Sequence, residues 1–359
     1  MLLKDEHKRY NRQMILPELG VEGQLKLKEA KVLMIGAGGL GCPVLQYLVA
    51  AGAGTIGIVD NDVVDETNLH RQILYSYADI GTKKALAAQK HLQALNPYVE
   101  VLAFPERIGP DNTTALIEPY DLVIDGSDNF PTRYLVNDTC LALGKPLVFG
   151  SIFKFEGQVS VFNYQGGPSY RDLFPEPPQS GEVPNCAEIG VIGVLPGIIG
   201  CLMANEAVKV ICGIGEVLSG RLLVFDALTN LSRTFRFAQS ALAPVQTGRP
   251  SAASCSSPLQ ETEEIDMRLL NEWLESSQED VHLIDVREPY EFEEYNIGGI
   301  NIPLSDLSLE IEKLPEEGKI VFCCASGQRS KMAVAMARPL SKAELFNLKG
   351  GIAAAAGPE

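Results

Sequence analysis

The feature of this chain that most constrains its fold is a glycine-rich turn, IGAGGLGCP, which follows a short apolar segment. Its glycines match the pattern G-x-G-x-x-G, which joins a buried strand to a helix. Glycines let backbone amides approach a phosphate closely, and the helix that follows adds the positive end of its dipole. The turn therefore predicts a nucleotide-binding loop that contains Gly36, Gly38, Gly39 and Gly41.

Short apolar segments and helical patterns alternate along the first two thirds of the chain. The predicted strands are residues 31–36, 55–60, 121–126, 146–151, 158–162 and 221–226. Residues 82–95 form a helical pattern between the second and third of these strands. This alternation predicts an α/β fold with a Rossmann-like parallel sheet.

The composition changes near residue 239, where Ala, Ser, Pro and Gln replace the apolar periodicity. We interpret residues 239–264 as a flexible linker. Strand patterns then return, at residues 282–286, 319–324 and 343–348. The chain is thus predicted to contain a first domain, residues 1–238, and a smaller α/β domain, residues 265–359.

Charge and hydropathy narrow the partners and the compartment. A net charge of −16 disfavours binding to nucleic acid or to an anionic membrane. The apolar run at residues 189–204 is interrupted by Pro196 and by glycines, so it predicts a buried helix and no membrane span. The N-terminus is charged from Lys4 onward, unlike a secretory signal. Eight cysteines at irregular spacings favour a reducing cytoplasm.

Charged residues after the predicted strands indicate which nucleotide the turn binds. Asp60 ends the second strand, where it is placed to bond a ribose hydroxyl. The charged and polar residues that follow include Asp62, Asn68, Arg71, Lys84 and Asp128. Cations around a phosphate loop neutralise a triphosphate, and a carboxylate can hold Mg²⁺. This set favours ATP and Mg²⁺ over the default alternative for such a turn, an NAD(P)-dependent oxidoreductase.

Five segments carry a resemblance to a known family: RYNRQ, GAGGLGCP, VDNDVVDETNLHRQ, DGSDNFPTRY and GSIFKFEGQVSVF. Together they resemble the MoeB/ThiF-type adenylyltransferases, which are similar to the adenylation domain of ubiquitin-activating enzymes. The resemblance covers residues 9–237. It implies an enzyme that uses ATP to adenylylate the C-terminal Gly-Gly of a ubiquitin-like sulfur carrier protein in molybdopterin, thiamin or tRNA-thiolation pathways.

The resemblance also implies a role for individual residues of the first domain. The ATP phosphates are held by the loop at Gly39 and by Asn68, Arg71 and Lys84. Asp60 holds the ribose, and Asp128 binds Mg²⁺ near the carboxylate of the carrier. Arg12 reaches across the interface of a homodimer into the ATP site of the partner. Positioning and charge neutralisation then carry the adenylylation step, because it needs no side-chain nucleophile.

The cysteines of the first domain divide into two groups. Cys186 resembles a loop cysteine that, in this family, attacks the acyl group of the carrier or forms an acyl disulfide. The start of a helix nearby favours its thiolate, and the alternative is a buried structural thiol. The remaining cysteines of this domain are interpreted as packing residues, namely Cys42, Cys140, Cys201 and Cys212.

A structural zinc site, which many relatives build from two C-x-x-C pairs, is not predicted here. At the first position this chain has Ser169 and Asp172, and at the second, residues 242–248, it has no cysteine. Structural zinc takes four ligands, mostly Cys and His. We therefore expect packing, and no metal, to stabilise this region.

The second domain contains the segment FCCASGQRS, in which a predicted strand ends at two cysteines. Cys324 begins the six-residue pattern C-x-x-G-x-R, and Arg329 ends it. Backbone amides that point into such a loop form an anion cradle, which stabilises a persulfide. The strand register predicts that Cys324 reacts and that Cys323 points into the core. Arg329 is expected to close the loop by bonding its carbonyls, or to hold an oxyanion of thiosulfate.

This loop resembles that of the rhodaneses, and the motifs LIDVREPYEF, NIPL and LKGGI agree. Phosphatases of the same fold have a longer loop, so sulfur transfer is favoured. Asp285 and Arg287 are predicted to fix the loop. The chain departs from the family at Asn296, where a histidine is usual, and after GGI, where the C-terminal helix is expected to be short or absent.

The two domains together predict one function. The first makes an acyl-adenylate on the carrier, and a persulfide on Cys324 displaces AMP to give a C-terminal thiocarboxylate. The residues assigned to catalysis are Cys324, Cys186, Asp128, Arg71, Lys84 and Arg329. The sulfur donor is thiosulfate or a cysteine desulfurase. The alternatives are a non-catalytic, redox-sensing module that docks the carrier, and the NAD(P)-dependent oxidoreductase.

Overall fold

The computed structural model describes residues 1–177, 190–239, 263–275, 280–304, 306–310, 314–315, 317–338 and 341–352. The chain forms two compact units, residues 1–244 and 245–359. Cys186 and residues 240–262 of the predicted linker lie outside the described residues, so their predicted roles stay predictions.

The first unit alternates helices and strands, as its sequence predicts. Its helices are α1 Lys4–Met14, α2 Gly20–Glu29, α3 Gly41–Ala51, α4 Lys84–Leu95, α5 Thr113–Ile117, α6 Phe130–Ala142, α7 Tyr170–Leu173 and α8 Val194–Cys212. Its strands are β1 Lys31–Ile35, β2 Thr55–Val59, β3 Glu100–Phe104, β4 Leu122–Asp125, β5 Leu147–Phe153, β6 Glu156–Phe162, β7 Arg221–Asp226 and β8 Leu231–Arg236.

These strands form one sheet in the order β3-β2-β1-β4-β5-β6-β7-β8. The five strands from β3 to β5 are parallel, and the pairs from β5 to β8 are antiparallel. In β1, Val32 and Met34 enter one apolar cluster, while Leu33 and Ile35 enter another on the opposite face. A strand buried on both faces needs the continuous apolar run that this sequence has. The α/β, Rossmann-like fold is confirmed.

The second unit is a smaller α/β domain. Its strands are β9 Glu263–Ile265, β10 Val281–Asp285, β11 Ile300–Asn301, β12 Lys319–Cys323 and β13 Glu344–Leu348, and its helices are α9 Met267–Glu275, α10 Pro289–Glu294, α11 Leu307–Glu310 and α12 Gln328–Ala337. The sheet is parallel, in the order β11-β10-β12-β13-β9. Because β9 pairs with β13, Glu263 and Glu264 belong to the sheet and not to the linker. Residues 353–359, where a short or absent helix was expected, lie outside the described residues.

The apolar helix α8 runs further than its sequence suggests. The apolar run ends at Ala204, before Asn205 and Glu206, yet the helix continues to Cys212. Glu206 is buried, accepts a hydrogen bond from the amide of Leu218 at 2.9 Å and pairs with Lys209, so its charge is compensated inside the helix. By length and composition α8 also passes as a membrane span, but it packs against α3, β5 and β6, as a buried helix does.

The cysteines of the first unit confirm the packing interpretation with one exception. Cys42, Cys140 and Cys212 are buried, whereas Cys201 is exposed on α8. The prediction for Cys201 was therefore wrong. An apolar helix that covers a sheet still presents part of its circumference to the outside, and the sequence does not say which part.

Candidate active sites

The cavity of the first unit lies where β1 and β4 are neighbours. The chain leaves β1 toward β2 and leaves β4 toward β5, so the two connections diverge at the carboxyl ends of these strands. Such a switch point opens a crevice in parallel sheets. A cavity of about 630 Å³ occupies it. The predicted residues that line it are Gly36, Gly38, Gly39, Asp60, Asp62, Asn68, Arg71, Lys84 and Asp128.

Two predicted residues are placed elsewhere. Gly41 is the first residue of α3, and a Cβ there would lie 2.1 Å from the carbonyl oxygen of Gly36. Gly41 therefore permits the tight turn, while Gly36, with φ of +86°, has a backbone that favours glycine. Arg12 is exposed on α1 and does not line the cavity, so its role across a dimer interface stays a proposal.

Asp60 braces the glycine loop from the end of β2. Its Oδ2 accepts a hydrogen bond from the amide of Ala37 at 2.8 Å, and its Oδ1 accepts one from the amide of Asp62 at 2.8 Å. Burial raises the pKa of this carboxyl, although the bond from Ala37 and the charge of Lys84 oppose that shift. Each oxygen keeps a second lone pair, so the carboxylate can also accept from a ribose hydroxyl.

The two predicted cations, Lys84 and Arg71, are each held by a short contact. Lys84 begins α4, is 6% exposed, and places Nζ 3.0 Å from Oδ2 of Asp62. Arg71 donates from Nη1 to the carbonyl of Thr67 at 3.1 Å. Both side chains are thereby oriented into the cavity before any anion binds, which lowers the cost of ordering them.

The loop after β4 is held by two buried charged residues that sequence reasoning did not identify, and each of them bonds Ser127. Asp125 is buried, and its Oδ1 accepts from the amide of Ser127 at 2.9 Å. Arg133, buried on α6, donates from Nη2 to the carbonyl of Ser127 at 3.1 Å. Burial raises the pKa of Asp125, and the charge of Arg133 opposes that rise. The pair fixes the turn that presents the exposed side chain of Asp128 to the cavity.

Three further lining residues were also missed, namely Gln72, Asn129 and Lys154. All three lie inside the segments that carry the family resemblance, so the signal was present in those motifs. Asn129 caps α6 by accepting from the amide of Thr132 at 3.0 Å. Its role is therefore to cap the start of the helix. From the sequence pattern alone, a helix-capping asparagine cannot be distinguished from one that binds a ligand.

Asp128 fits Mg²⁺ in the form that nucleotide enzymes use. No cluster of three His, Cys, Asp or Glu side chains suited to a metal occurs among the residues that the structure describes. Mg²⁺ in such sites takes one or two carboxylates and completes its shell with phosphate oxygens and water. A single exposed carboxylate beside a phosphate loop meets that requirement.

The region around Ser169 and Asp172, where no zinc site is predicted, is stabilised by hydrogen bonds and by ring packing. Oδ2 of Asp172 accepts from the amide of Ser169 at 2.7 Å and from its hydroxyl at 2.9 Å, which caps α7. Arg171 makes two hydrogen bonds of 2.7 Å to the carboxylate of Asp138. The ring of Tyr170 packs against neighbouring aromatic rings. Ser169 and Asp172 are thus bonded to each other, while residues 242–248, the second position, lie outside the described residues, so the absence of zinc stays a prediction.

In the second unit, Cys324 lies at the start of a loop whose amides point toward its sulfur. The amides of Gly327 and Ser330 lie 3.2 and 3.4 Å from Sγ, and the hydroxyl of Ser330 lies 3.3 Å from it. Gly327 has a φ of +87° and precedes α12. The arrangement is the predicted anion cradle, and it can stabilise a thiolate or a persulfide.

Burial does not separate Cys324 from Cys323, since both are fully buried. The two side chains enter different apolar clusters on opposite faces of the sheet. Burial raises the pKa of Cys323, and the charge of Asp285 adds to that rise. Cys323 therefore points into the core, as the register predicts, and the loop amides lie on the Cys324 side.

Among the described residues Arg329 does not bond the carbonyls of the loop, as one of our two expectations had it, and its contact with thiosulfate stays a prediction. Its guanidinium is held by Glu291 of α10 through two hydrogen bonds of 2.6 and 2.7 Å. Glu291 follows the D-V-R motif by four residues, and a contact across the fold of this kind has no periodic signal in sequence.

Asp285 and Arg287 lie where a supporting pair was predicted. Nε and Nη2 of Arg287 donate to the carboxylate of Asp285 at 2.7 to 3.1 Å, and Nη2 also donates to the carbonyl of Tyr295 at 2.5 Å. Asp285 is paired with Cys323 across the sheet. The pair thus supports the strand end from which the cysteine loop departs.

Comparison with known proteins gives a family for each of the two units. The ThiF family model matches residues 10–244, and the rhodanese-like domain model matches residues 269–357. A sulfur carrier protein adenylyltransferase of Thermus thermophilus is 56% identical over 253 residues, which are 69% of this chain and 93% of that protein.

A relative that spans both units is a probable adenylyltransferase/sulfurtransferase, MoeZ, of Mycobacterium tuberculosis. It is 45% identical over 367 residues, which are 98% of this chain and 93% of that protein. Among solved structures, E. coli MccB with MccA-N7isoASN superposes with a TM-score of 0.59 at 21% identity, over 65% of this chain and 72% of that one. The likeness to MccB concerns the fold.

Proposed function

This chain belongs to the ThiF family and carries a rhodanese-like second domain, and on that premise we propose that it is an enzyme that makes a protein thiocarboxylate. Its protein substrate is a ubiquitin-like sulfur carrier that ends in Gly-Gly. The observation that carries the proposal is the presence, in one chain, of a phosphate loop lined by cations and a cysteine cradled by amides.

The first step is adenylylation of the carrier. An oxygen of its C-terminal carboxylate attacks the α-phosphorus of ATP, the bond between the α-phosphorus and the bridging oxygen breaks, and pyrophosphate leaves. Arg71 and Lys84 lie where they neutralise phosphate charge, and the glycine loop offers its amides. Bound Mg²⁺ supplies further charge neutralisation, and Asp128 is the residue that holds it.

The second step transfers sulfur. The terminal sulfur of a persulfide on Cys324 attacks the acyl carbon, AMP leaves, and an acyl disulfide joins the carrier to Cys324. A thiolate then attacks the sulfur of Cys324, so the carrier leaves as a thiocarboxylate and a new disulfide remains. Cys186 is the candidate for that thiolate, and an external reductant such as a dithiol restores both cysteines.

The two reactions occur on separate units, so the chain that connects the units has to let Cys324 reach the acyl-adenylate at the first site. The linker predicted from composition, without the two residues that belong to β9, serves this purpose and spans residues 239–262. Tethering replaces a bimolecular encounter with an intramolecular one at a high effective concentration. The same proposal includes a homodimer in which Arg12 reaches the ATP site of the partner. It also includes thiosulfate or a cysteine desulfurase as the sulfur donor, and the cytoplasm as the compartment.

The test is the intact mass of a Gly-Gly carrier after incubation with the protein, MgATP and thiosulfate, for the wild type and for Cys324→Ala. We expect the wild type alone to convert carboxylate to thiocarboxylate. ATP–pyrophosphate exchange that depends on the carrier should persist in Cys324→Ala. A chain that binds nicotinamide cofactors and shows no exchange with any carrier would support the oxidoreductase, and carrier binding without exchange would support the docking module.

A further inference from the structure

The strand order places the parts of the first site in a row. Asp60 follows β2, the glycine loop follows β1, Asp128 follows β4, and the turn after β5 comes next. Neighbouring strands lie about 4.8 Å apart. A nucleotide whose ribose lies at Asp60 therefore has its α-phosphate, the reacting one that is joined to the ribose, over the glycine loop after β1, and the side of this phosphate away from the ribose faces β4. The second substrate approaches from the side of β5.

The turn between β5 and β6 extends over the cavity. Asp125, the last residue of β4, is paired with Phe149, and β5 continues from there to Phe153. Four more residues of β5 extend past the last pair with β4, or about 13 Å at the usual rise, and these residues stay paired with β6. Ile152, Phe153 and Lys154 line the cavity as a result.

Lys154 occupies a backbone position that favours glycine. It is the first of the two residues between the closing pair Phe153 and Glu156, and its φ is +54°. A non-glycine residue in this region costs on the order of 1 kcal/mol. A glycine would remove that cost, so Lys154→Gly deletes the side chain without straining the backbone.

The ammonium group of Lys154 is available to an anion. Among the described residues, its Nζ forms a cation–π contact with the ring of Phe153, whose centroid lies 5.6 Å away. Three other cations of the cavity already have partners: Lys84 has Asp62, Arg71 has the carbonyl of Thr67 and Arg133 has that of Ser127. The exposed Arg107 also lines the cavity, but it lies after β3, on the ribose side, whereas Lys154 lies after β5. Phe153 and Phe155 are 43% and 40% exposed, so apolar surface flanks the lysine.

We propose that Lys154 binds the C-terminal carboxylate of the carrier before adenylylation, with Phe153 and Phe155 flanking the Gly-Gly segment. The inference rests on the proposed function and adds the residue that recognises the tail. Two like charges, a carboxylate and a phosphate, have to meet, and a cation beside the incoming carboxylate lowers that repulsion. Glycine has no side chain, so a Gly-Gly segment can pass close to aromatic rings without a steric clash.

The experiment measures binding by calorimetry, with Mg²⁺ and α,β-methylene-ATP filling the nucleotide site. The ligands are one Gly-Gly carrier with a free C-terminal carboxylate and the same carrier as its C-terminal amide. We expect the wild type to prefer the carboxylate by about tenfold, the size of one charge-assisted hydrogen bond. Lys154→Met should bind both forms alike, and Lys154→Arg should keep most of the preference.

Two further variants control for structure. Lys154→Gly suits the left-handed backbone, so it should fold at least as stably as the wild type and still lose the preference. Lys90→Met removes an exposed lysine of α4 that does not line the cavity, and it should behave as the wild type. A preference that persists in Lys154→Met and Lys154→Gly, or is lost in Lys90→Met, overturns the proposal.

ATP–pyrophosphate exchange separates this inference from the proposed function. If the wild type exchanges with the carrier and Lys154→Met leaves its KM for the carrier unchanged, the role of Lys154 is wrong and adenylylation stands. If the wild type exchanges with none of the ubiquitin-like sulfur carriers of its source, adenylylation itself fails and the role of Lys154 fails with it. The KM for ATP should stay within about twofold in Lys154→Met, since the lysine contacts the other substrate.

Discussion

The guanidinium of Arg329 donates to both carboxylate oxygens of Glu291, from Nη1 to Oε2 at 2.6 Å and from Nη2 to Oε1 at 2.7 Å. These hydrogen bonds lower the pKa of Glu291, although its partial burial opposes the shift. The carboxylate therefore stays ionised at neutral pH and offsets the positive charge that ends the cysteine loop. Glu291 thus largely neutralises the field of Arg329, so a small dianion that binds at this loop is attracted by it only weakly.

The first prediction concerns Glu291→Gln. Removing the negative charge leaves the field of Arg329 available to an anion, so the KM for thiosulfate in thiosulfate:cyanide sulfurtransfer should fall, by about fivefold at low salt. Glu293→Gln, an exposed glutamate of the same helix, is the matched control and should change little. An unchanged or higher KM in Glu291→Gln would mean that the pair serves to brace the loop.

The second prediction separates the adjacent cysteines. Cys324→Ala should abolish sulfur transfer and leave ATP–pyrophosphate exchange unchanged, because the amides of Gly327 and Ser330 point at that sulfur alone. Cys323→Ala should keep sulfur transfer and lower the stability of the second unit by about 1 kcal/mol, since it leaves a small cavity in the core. Sulfurtransferase rates and denaturant unfolding check the two effects. Residual sulfur transfer in Cys324→Ala would indicate that Cys323 is the reactive cysteine.

The third prediction is a pH dependence at Asp79. Burial alone would raise the pKa of this carboxyl, but hydrogen bonds from the amide and hydroxyl of Ser76 and from His91 outweigh it and lower the pKa to about 2. A depressed pKa in the folded state gives stability that is present above the unfolded value and is lost as pH falls through the folded value. The contribution should reach about 2 kcal/mol at pH 7.

Calorimetric unfolding of the wild type and Asp79→Asn checks this value. The variant should be less stable at pH 7, and the difference should shrink between about pH 4 and pH 2. His91→Gln removes only one of the three contacts and should cost less. A difference between wild type and Asp79→Asn that is independent of pH would show that packing, and not the charge, is lost.

The fourth prediction is that chelators leave the first unit intact. Dialysis against EDTA should not lower its melting temperature, and elemental analysis should find no stoichiometric zinc. Asp172→Ala removes the cap of α7 and should cost about 1 kcal/mol, or about 2–4 °C for a unit of this size. Bound zinc in equimolar amount, with a lower melting temperature after chelation, would contradict the assignment.

Much of the first site could be predicted because its residues follow strands that have continuous apolar runs. Parallel strands end at one edge of the sheet, so Asp60 after β2 and Asp128 after β4 had to meet near the glycine loop after β1. The same rule predicted the position of Cys324, which directly follows β12. Gly41 was assigned to ligand binding, but its role is to make room for Gly36, and a motif does not distinguish these two reasons for a glycine.

The sequence by itself determined the two α/β units, the phosphate loop, the order of charged residues around it and the register that makes Cys324 differ from Cys323. These follow from local periodicity and from turns, which act over a few residues. Only the tertiary structure decided that Glu291 holds Arg329, that Arg133 and Asp125 support the loop before Asp128, and that Lys154 overhangs the cavity. Those relationships join residues whose separation along the chain follows no period, because packing of distant elements brings them together.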